Sequence, residues 1–249
     1  MKSRARNQRS RGKFVGAIVA IALIGAAAIG YKATRPTNQP AATAVDPNLA
    51  REAEGYLLGD SAAPVQILEF ADYECPACAQ FATVTAPDVR KRLVETGQAS
   101  YRFFDFPLRQ HRNSRSASNA AACANDQGKY WQMHDRLFAG QMDWNTQATS
   151  NPKKVFQQYA RDLGLDVGAW ETCYDSDKHQ RRIAANEAEG DRRQVRSTPT
   201  FVIGDRMIAG ALPFDRMKAL VDSAAQRGAA PAPAAGDSTR RPPAAGTAR

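Results

Sequence analysis

Residues 65–81 read VQILEFADYECPACAQF and place two cysteines between a strand and a helix. The apolar run Val65–Phe70 is typical of a short buried strand. Cys75 opens a helical pattern that continues to about Glu95, with a break or kink expected at Pro87 because proline lacks the N–H of an interior helical residue. We therefore expect the cysteine pair at the point where a strand ends and a helix begins.

That position gives the two thiols of the CPAC motif different chemistry. At a helix start the backbone N–H groups are unpaired and the helix dipole is positive, which favours a thiolate at Cys75 and lowers its pKa. Cys78 lies one turn further in, so we expect it to be more buried and to resolve mixed disulfides formed by Cys75. Pro76 and Ala77 stand between the two cysteines and flank the candidate site.

A C-x-x-C pair has other interpretations. It could form half of a zinc site or an inert local disulfide. The other two cysteines are isolated and none of the three histidines stands in H-x3-H spacing, which disfavours zinc. The strand-then-helix placement favours a redox-active pair, and we expect no metal ion.

The rest of the sequence predicts an α/β core interrupted by helices. A second strand, rich in aromatic residues, follows at Ser100–Phe106, and no further strand signal occurs before Thr200. A hairpin and a last helix then close the pattern. The predicted helices beyond the first are 113–126, 129–138, 152–164, 169–186 and 213–226, and the hairpin strands are 200–203 and 206–209. The fold class is therefore α/β, with an α-helical insertion between the second and third core strands.

Two cysteines and three tryptophans fall in the helical block. Cys123 and Cys173 lie 50 residues apart, and a structural disulfide between two helices is the expected arrangement in an exported chain. A second redox pair and two buried free thiols are the alternatives. We expect Trp131, Trp144 and Trp170 to pack in the interior of this block.

The formal net charge of +9 does not indicate a nucleic-acid partner once it is divided along the chain. Residues 1–13 carry six basic residues and no acidic residue, whereas residues 36–227 carry 23 basic and 24 acidic residues. The folded part is thus close to neutral. A length of 249 residues with 43% apolar content fits one sizeable domain with appendages.

The basic run at 1–13 precedes an uncharged apolar segment at 14–31. This segment predicts either a single transmembrane anchor with a cytoplasmic N-terminus or a signal peptide cleaved at the A-x-A pattern of Ala26 and Ala28. A buried core helix is disfavoured by the cations on its N-terminal side. Both main interpretations predict export: a membrane-anchored periplasmic or extracellular domain, or a secreted one.

Pro, Ala and Thr dominate the segments that flank the core. Residues 32–54 predict a flexible stalk, and residues 228–249 predict a disordered tail. The folded domain is accordingly expected over 55–227, with its helical insertion at about 108–195.

Three stretches together resemble the DsbA-like thiol-disulfide oxidoreductases. They are LEFADYECPACAQF (68–81), AACANDQGKYWQMHDRLF (121–138) and STPTFVIGDRMIAGALP (197–213), and the resemblance covers roughly residues 55–226. It implies an exported protein with a thioredoxin fold and an inserted helical domain.

The resemblance also implies roles for individual residues. Cys75 would be the nucleophile and Cys78 the resolving cysteine. Thr198 and Pro199 match the cis-proline loop that binds substrate in this family, and Cys123 with Cys173 matches a second cysteine pair of some members.

One departure from the family bears on mechanism. The most oxidising relatives have histidine where this chain has Ala77, which cannot donate a hydrogen bond to the Cys75 thiolate, so we expect a milder oxidant. Asp72 and Glu74 flank the motif and would also oppose a negative sulfur. Glu69 ends the strand beneath the motif and is either a buried proton relay or a solvated strand-end charge.

The resulting expectation is an enzyme that introduces disulfides into exported proteins. A reductase or isomerase of the same fold is one alternative, and a non-catalytic thioredoxin-like binding module is another. The expected partners are reduced or misoxidised exported proteins and a membrane redox partner that resets the active site. We expect no organic cofactor beyond the redox-active Cys75–Cys78 disulfide, and a monomer.

Overall fold

The computed structural model describes residues 48–229, whose core is a five-stranded mixed sheet. β2 and β3 are parallel, and the other neighbouring strands pair antiparallel. The strands are β1 (Tyr56–Leu58), β2 (Gln66–Ala71), β3 (Ser100–Asp105), β4 (Thr200–Ile203) and β5 (Arg206–Ala209), in the spatial order β1-β3-β2-β4-β5. The strand that leads into the cysteine motif, β2, therefore lies at the centre of the sheet.

Alternation along β2 divides its side chains between two cores. Ile67 belongs to the main core on one face, and Glu69, two residues on, points to the same side. Leu68 and Phe70 belong to a smaller cluster on the other face, together with Phe104 of β3. Because apolar side chains pack against both faces of the sheet at β2, the sequence of this strand is a nearly continuous apolar run. Glu69 is the ionisable residue within it.

The helix after β2, α1, departs from α-helical geometry in two places. It begins as Pro76–Gln80 and continues through a π-helical stretch, Phe81–Thr85, an α-helical turn, Ala86–Val89, and a second π-helical stretch, Arg90–Val94. Pro87 lies in the turn between the two π-helical stretches. The helix therefore does not break at Pro87. It widens into π-helical stretches before and after this turn, since proline removes one i→i−4 hydrogen bond.

Six helices lie between β3 and β4, which confirms the predicted helical insertion. They are α2 (Ser114–Asn125), α3 (Tyr130–Ala139), α4 (Gln141–Trp144), α5 (Lys153–Asp162), α6 (Val167–Asp175) and α7 (Gln180–Arg192). The last of them, α7, returns to the sheet and contacts β3.

The prediction of one helix over 169–186 is wrong, because a turn separates α6 from α7. Asp177 in this turn adopts a φ of 50°, which ends the helical path. At the other end, α6 begins at Val167, two residues before its predicted start, because the Asp166 side chain caps it by accepting a hydrogen bond from the Ala169 N–H at 2.9 Å.

The folded region begins before the predicted boundary at residue 55. Residues Leu49–Glu52 form a 3-10 helix that packs against α7, and Glu52 pairs with Arg181 at 2.7 Å. Assigning all of 32–54 to a flexible stalk is therefore wrong for its last residues. β1 was not predicted, because three residues are too few to show an alternating pattern.

The last helix, α8 (Phe214–Ala229), packs against β4 and α1 and extends past its predicted end at Gln226. Residues 1–47 and 230–249, with the expected 14–31 anchor or signal segment and nearly all of the predicted tail, lie outside the described residues. Within residues 48–229 no helix is both long and apolar enough to cross a bilayer.

One glycine fixes how closely α7 approaches the sheet. A Cβ atom at Gly190 would lie 2.5 Å from Cδ2 of Phe106 and 3.1 Å from Cδ1 of Phe70. Any larger residue would push α7 away from the smaller cluster, so glycine at this position is required by contact distance.

The interior of the insertion is built around aromatic residues and a disulfide. Trp144 and Trp170 are fully buried, and each donates its indole N–H to a backbone carbonyl, of Leu137 and Ala120 respectively. Trp131 is partly buried and donates to the Leu57 carbonyl of β1. A disulfide joins Cys123 of α2 to Cys173 of α6.

Removing this disulfide should destabilise the domain. The bridge closes a loop with a sequence separation of 50, for which the chain-entropy relation gives a loss on the order of 4 kcal/mol. Denaturant unfolding of a Cys123→Ala/Cys173→Ala variant, compared with the oxidised wild type, measures it. A loss below about 1 kcal/mol would show that the packing around Trp170 holds the two helices without help from the bridge.

Candidate active site

The two cysteines of the CPAC motif occupy unequal positions at the start of α1. Cys75 is the N-cap residue, and Pro76 takes the first helical position, where its missing N–H costs no hydrogen bond. Cys75 keeps 8% of its surface exposed, whereas Cys78 is completely buried. Both are free thiols and both are buried, Cys78 more completely than Cys75.

The loop before β4 lies against Cys75. The Thr198–Pro199 peptide bond is cis, and the Thr198 carbonyl accepts a hydrogen bond from the Cys75 thiol at 3.3 Å. The buried Thr198 hydroxyl has no hydrogen-bond partner among the described residues, so it can turn toward the sulfur. Thr198 and Pro199 are thus brought together with the cysteine pair.

The environment of Cys75 lowers its pKa from 9.0 to about 5. The largest contribution is a hydrogen bond from the Cys78 thiol, and burial, the next largest, opposes it. The Thr198 side chain and the backbone N–H groups of Cys78 and Ala77, at the start of α1, lower the pKa further. At neutral pH the reduced site therefore carries a thiolate at Cys75.

Cys78 is shifted in the opposite direction. Burial raises the pKa of its thiol well above the ordinary value, and the neighbouring Cys75 and the Glu69 carboxylate raise it further. The reduced pair therefore carries its negative charge on Cys75 and keeps its proton on Cys78.

Glu69 lies beneath the pair and is 2% exposed, so the interpretation as a solvated strand-end charge is wrong. Burial raises its pKa to about 8, against a hydrogen bond from the Tyr101 hydroxyl and the positive charge of Arg90. Tyr101 was not identified from the sequence. It stands on β3, where the alternation that points Glu69 into the main core points Tyr101 to the same side.

A second carboxylate, Asp72, organises the turn before the helix. Its Oδ1 atom accepts hydrogen bonds from the Glu74 N–H at 2.7 Å and from the Ser114 hydroxyl. Its Oδ2 atom accepts from the Leu108 N–H at 2.7 Å and lies 2.8 Å from Nδ1 of His111. This carboxylate raises the pKa of His111.

Glu74 is also engaged by the insertion, since it accepts from the Asn113 N–H at 2.9 Å and from the Thr146 hydroxyl at 2.9 Å. Asp72 and Glu74 are both buried. The pKa of Cys75 is lowered although these two carboxylates flank the motif, because hydrogen-bond donors surround the sulfur and other donors occupy the carboxylates.

The insertion also holds the backbone of the motif. Gln141 of α4 is buried, and its side-chain amide donates to the carbonyl of Tyr73 at 2.7 Å and to that of Cys75 at 3.1 Å. The Tyr73 hydroxyl is 3.1 Å from Nδ1 of His134. Neither Gln141 nor His111 was identified from the sequence, where no local pattern connects them to the motif 30 or more residues earlier.

The remaining predicted site residues lie elsewhere. The Cys123–Cys173 disulfide joins two helices of the insertion. Among the described residues, the potential ligand atoms of these two cysteines and of His179 lie within 4.8 Å of one another, but the two sulfurs are bonded to each other and are not thiolates.

Comparison with known proteins places these features in context. The family model described as Thioredoxin matches residues 51–223. The chain is 26% identical over 178 residues to disulfide bond formation protein D of Bacillus subtilis, an alignment that covers 67% of this chain and 75% of that protein. It is 32% identical over 170 residues to the Na(+)/H(+) antiporter NhaA 3 of Salinispora tropica, covering 68% of this chain. The chain spans only 24% of the length of that antiporter.

A solved structure shows the same fold. The crystal structure of a variant of alpha-DsbA1 from Wolbachia pipientis superposes with a TM-score of 0.64 at 20% identity, covering 72% of this chain and 97% of that one. The predicted fold class, a thioredoxin-like core with an α-helical insertion, is confirmed.

The thiol of Cys75 is expected to titrate near pH 5 in the reduced chain. Replacing Cys78 with alanine removes the largest stabilising hydrogen bond and should raise the pKa of Cys75 by about one pH unit or more, whereas Cys78→Ser keeps a donor and should raise it less. The pH dependence of iodoacetamide alkylation measures this. Titration of the wild-type thiol near pH 9, or an unchanged pKa in Cys78→Ala, would contradict the assignment.

Glu69 should make the chain with reduced Cys75 and Cys78 less stable as the pH rises. Its pKa is raised in the fold, so its stabilising effect is complete below pH 4.5 and is lost as the pH passes about 8. Glu69→Gln cannot ionise, and at about pH 9 it should be more stable than the wild type by on the order of 2 to 5 kcal/mol. Denaturant unfolding across this pH range measures the difference.

The control for that experiment is Glu52→Gln, which alters an exposed carboxylate paired with Arg181. This variant should keep the wild-type loss of stability at high pH. If Glu69→Gln keeps it as well, Glu69 does not ionise in the fold as described.

Proposed function

This chain belongs to the thioredoxin family and has a DsbA-like fold, and from that membership we propose that it exchanges disulfides with exported proteins through Cys75 and Cys78. One observation carries the proposal: the two thiols have oppositely shifted pKa values at a helix start that faces a cis-proline loop. Such a pair combines a stable leaving thiolate with a protonated resolving thiol.

In the oxidation of a substrate, the cycle begins from the Cys75–Cys78 disulfide. A substrate thiolate attacks Cys75 Sγ, the S–S bond breaks, and Cys78 leaves and takes up a proton. A second substrate thiolate then attacks the sulfur of the substrate cysteine, forms the substrate disulfide and releases Cys75 as a thiolate. Two electrons pass from the substrate to the protein, and the protein ends as the dithiol.

Glu69 is the proposed source of the proton that Cys78 receives. It is enclosed beneath the pair, and its pKa of about 8 keeps much of it protonated at neutral pH. In the reverse half of the cycle, when a partner re-oxidises the dithiol, the carboxylate would take the proton from Cys78 again. The protein then needs no organic cofactor.

The direction of exchange follows from the stability of the Cys75 thiolate. A thiolate that is stabilised only in the reduced protein makes the disulfide a stronger oxidant. The Cys78 thiol, Thr198 and the helix N–H groups provide that stabilisation, so we propose oxidation of substrate proteins as the main activity. Ala77 provides no donor, which supports a milder oxidant than relatives with histidine at that position.

The cis-proline loop is the proposed contact for the substrate backbone. Thr198 and Pro199 stand beside Cys75, and an extended peptide can pair with backbone groups of such a loop. Export, with a membrane partner that re-oxidises the pair, completes the proposal. It is supported by the apolar segment at 14–31 and by the likeness to the Bacillus subtilis protein named for disulfide bond formation.

A Cys78→Ala variant should accumulate mixed disulfides. In this variant the Cys75 thiolate attacks a disulfide of a misoxidised substrate and forms a mixed disulfide, and the other substrate sulfur leaves as a thiolate. Without Cys78 no thiol of the motif can then displace the substrate from Cys75. Non-reducing gels of the variant expressed with its exported proteins should show cross-linked species that collapse on reduction, and mass spectrometry should place the link at Cys75. Cys75→Ala is the control and should trap nothing. A Cys78→Ala variant that binds proteins without covalent attachment would make the chain a binding module.

The reduction potential of the pair decides the direction. Equilibration with glutathione should give a value between about −270 mV, typical of thioredoxin, and about −120 mV, typical of DsbA. Ala77→His adds a donor beside the thiolate and should make the potential less negative by about 30 mV or more. A wild-type value at or below that of thioredoxin would instead assign a reductase.

A further inference from the structure

Three exposed arginines lie in the two loops that flank Cys75. The loop after β3 contains Arg109 and Arg112, and the segment before β4 contains Arg196. No guanidinium group of these three forms an ion pair or a hydrogen bond with another residue of the described part of the chain. Their positive charges are therefore free to meet a bound molecule.

The sheet order places both loops beside the cysteine turn. β3 and β4 are the two neighbours of β2, which leads directly into that turn. Because β3 runs parallel to β2 and β4 runs antiparallel, the end of β3 and the start of β4 lie at the same edge of the sheet as the end of β2. Arg109 and Arg112 therefore stand on one side of Cys75, and Arg196 stands on the other.

Hydrogen bonds hold the loop after β3 against the turn. The Leu108 N–H donates to the Asp72 carboxylate at 2.7 Å, and the Arg112 N–H donates to the Thr146 hydroxyl at 2.9 Å. That hydroxyl in turn donates to the Glu74 carboxylate at 2.9 Å. The backbone that carries the two arginines is thus fixed next to the residues that precede Cys75.

The segment before β4 touches the reactive sulfur itself. The Thr198 carbonyl accepts a hydrogen bond from the Cys75 thiol at 3.3 Å, and Arg196 is two residues before Thr198. Two residues span at most about 7 Å, so the Arg196 backbone lies close to the sulfur. A substrate that pairs with the cis-proline loop would pass this arginine.

The carboxylates of the turn are not available to pair with these arginines. Asp72 and Glu74 are buried and accept hydrogen bonds from the loop and the insertion. Asp143, exposed on α4, lies 3.4 Å from the Tyr159 hydroxyl. An approaching chain therefore meets guanidinium groups at the surface, whereas the carboxylates of the turn lie beneath it.

This positive charge is a local feature. Residues 36–227 carry 23 basic and 24 acidic residues, so the domain as a whole is close to neutral. Residues 106–125 and residues 192–204 nevertheless each contain three arginines and no acidic residue. Both basic runs are next to the redox site.

The other arginines of these two runs are paired. Arg115 forms an ion pair with Glu187, and Arg192 and Arg193 both pair with Glu189. The arginines that lack a partner among the described residues are thus the ones in the loops beside the redox site.

We propose that Arg109, Arg112 and Arg196 select substrates whose cysteines are flanked by acidic residues. This inference rests on the proposed disulfide exchange and names the class of polypeptide that undergoes it: an extended segment with aspartate or glutamate within a few residues of the reacting cysteine. A guanidinium group presents a planar fork of donors that matches a carboxylate. Opposite charges also raise the rate of encounter, and like charges lower it.

The test measures how fast two peptides reduce the Cys75–Cys78 disulfide of the full chain. Both peptides carry the same two cysteines, and four flanking residues are glutamate in one and lysine in the other. The peptide becomes a disulfide and the protein becomes the dithiol, which acid quenching and mass spectrometry follow. The flanking charges also change the reactivity of the peptide thiols, so the ratio of the glutamate to the lysine rate constant is compared between protein variants, where that effect cancels.

Arg109→Gln/Arg112→Gln/Arg196→Gln should lower this ratio about 10-fold at low salt, because both the attraction of the glutamate peptide and the repulsion of the lysine peptide are lost. The matched control is Lys91→Gln/Lys129→Gln/Arg206→Gln, which removes the same charge elsewhere. It should change the ratio less than about 2-fold.

The three control positions lie away from Cys75. Lys91 is near the C-terminal end of α1, and Lys129 precedes α3 at the end opposite to Gln141. Arg206 is paired in register with Ile203, which lies beside the start of β2 rather than its end.

Salt provides a second measurement that requires no variant. Raising the ionic strength from 0.01 M to 1 M shortens the screening length from about 30 Å to about 3 Å. The ratio of the wild type should fall toward that of the arginine-to-glutamine variant. If that variant does not fold, the salt dependence of the wild type decides.

The outcomes separate this inference from the proposed function. If both peptides react but the ratio does not fall with salt, or is the same in the wild type and the arginine-to-glutamine variant, the inference is overturned and disulfide exchange stands. A control variant that lowers the ratio as much would also overturn it, because overall charge would then be responsible. If neither peptide reduces the disulfide, the proposed exchange fails, and the inference fails with it.

Discussion

The position of one sulfur atom at the N-terminus of α1 is the constraint on which the site depends. At that point the backbone N–H groups of Ala77 and Cys78 lower the pKa of Cys75, and the same turn sets the residue against the Thr198 carbonyl. A shift of the turn by one residue would remove the N–H groups from the sulfur. The buried contacts of Asp72 with Ser114 and of Glu74 with Asn113 fix this turn, so the inserted helices are part of the redox site although they contain neither cysteine of the motif.

Burial raises the pKa of Glu69, Cys75 and Cys78, and hydrogen bonding reverses the shift at Cys75 alone among these three. Cys78 and Glu69 are enclosed, and both are shifted toward their protonated forms. Burial raises the pKa of Cys75 as well, but the Cys78 thiol and Thr198 donate to it and reverse the sign. The dithiol therefore consists of one charged and one neutral sulfur, which is the state that an attack on a disulfide requires.

The local sequence predicted the elements whose signals are short-range. Periodicity identified β2 and the start of α1, which together placed the two cysteines, and the position of Glu69 within β2 made it a candidate. The residues that hold the motif were not predicted. Gln141 and His111 reach the turn from the insertion, and such long-range contacts leave no periodic trace in one sequence.

The errors at element boundaries have a related cause. The helix predicted over 169–186 is broken by a turn of polar residues that contains neither glycine nor proline, and β1 is only three residues long. The likeness of three separated stretches to one family added what periodicity cannot provide. It combined motifs at 68–81, 121–138 and 197–213 into one expected fold, and the sheet order and the inserted helices agree with it.

The amide of Gln141 gives the domain a property beyond the chemistry of sulfur. Because a single side chain of α4 bonds to two carbonyls of the cysteine turn, the insertion cannot open locally without releasing the backbone on which the reactive thiol sits. Local opening of the helical insertion would therefore also disturb the turn that holds Cys75. A molecule whose insertion has opened would then present Cys75 as an ordinary thiol, without the helix-start environment that lowers its pKa.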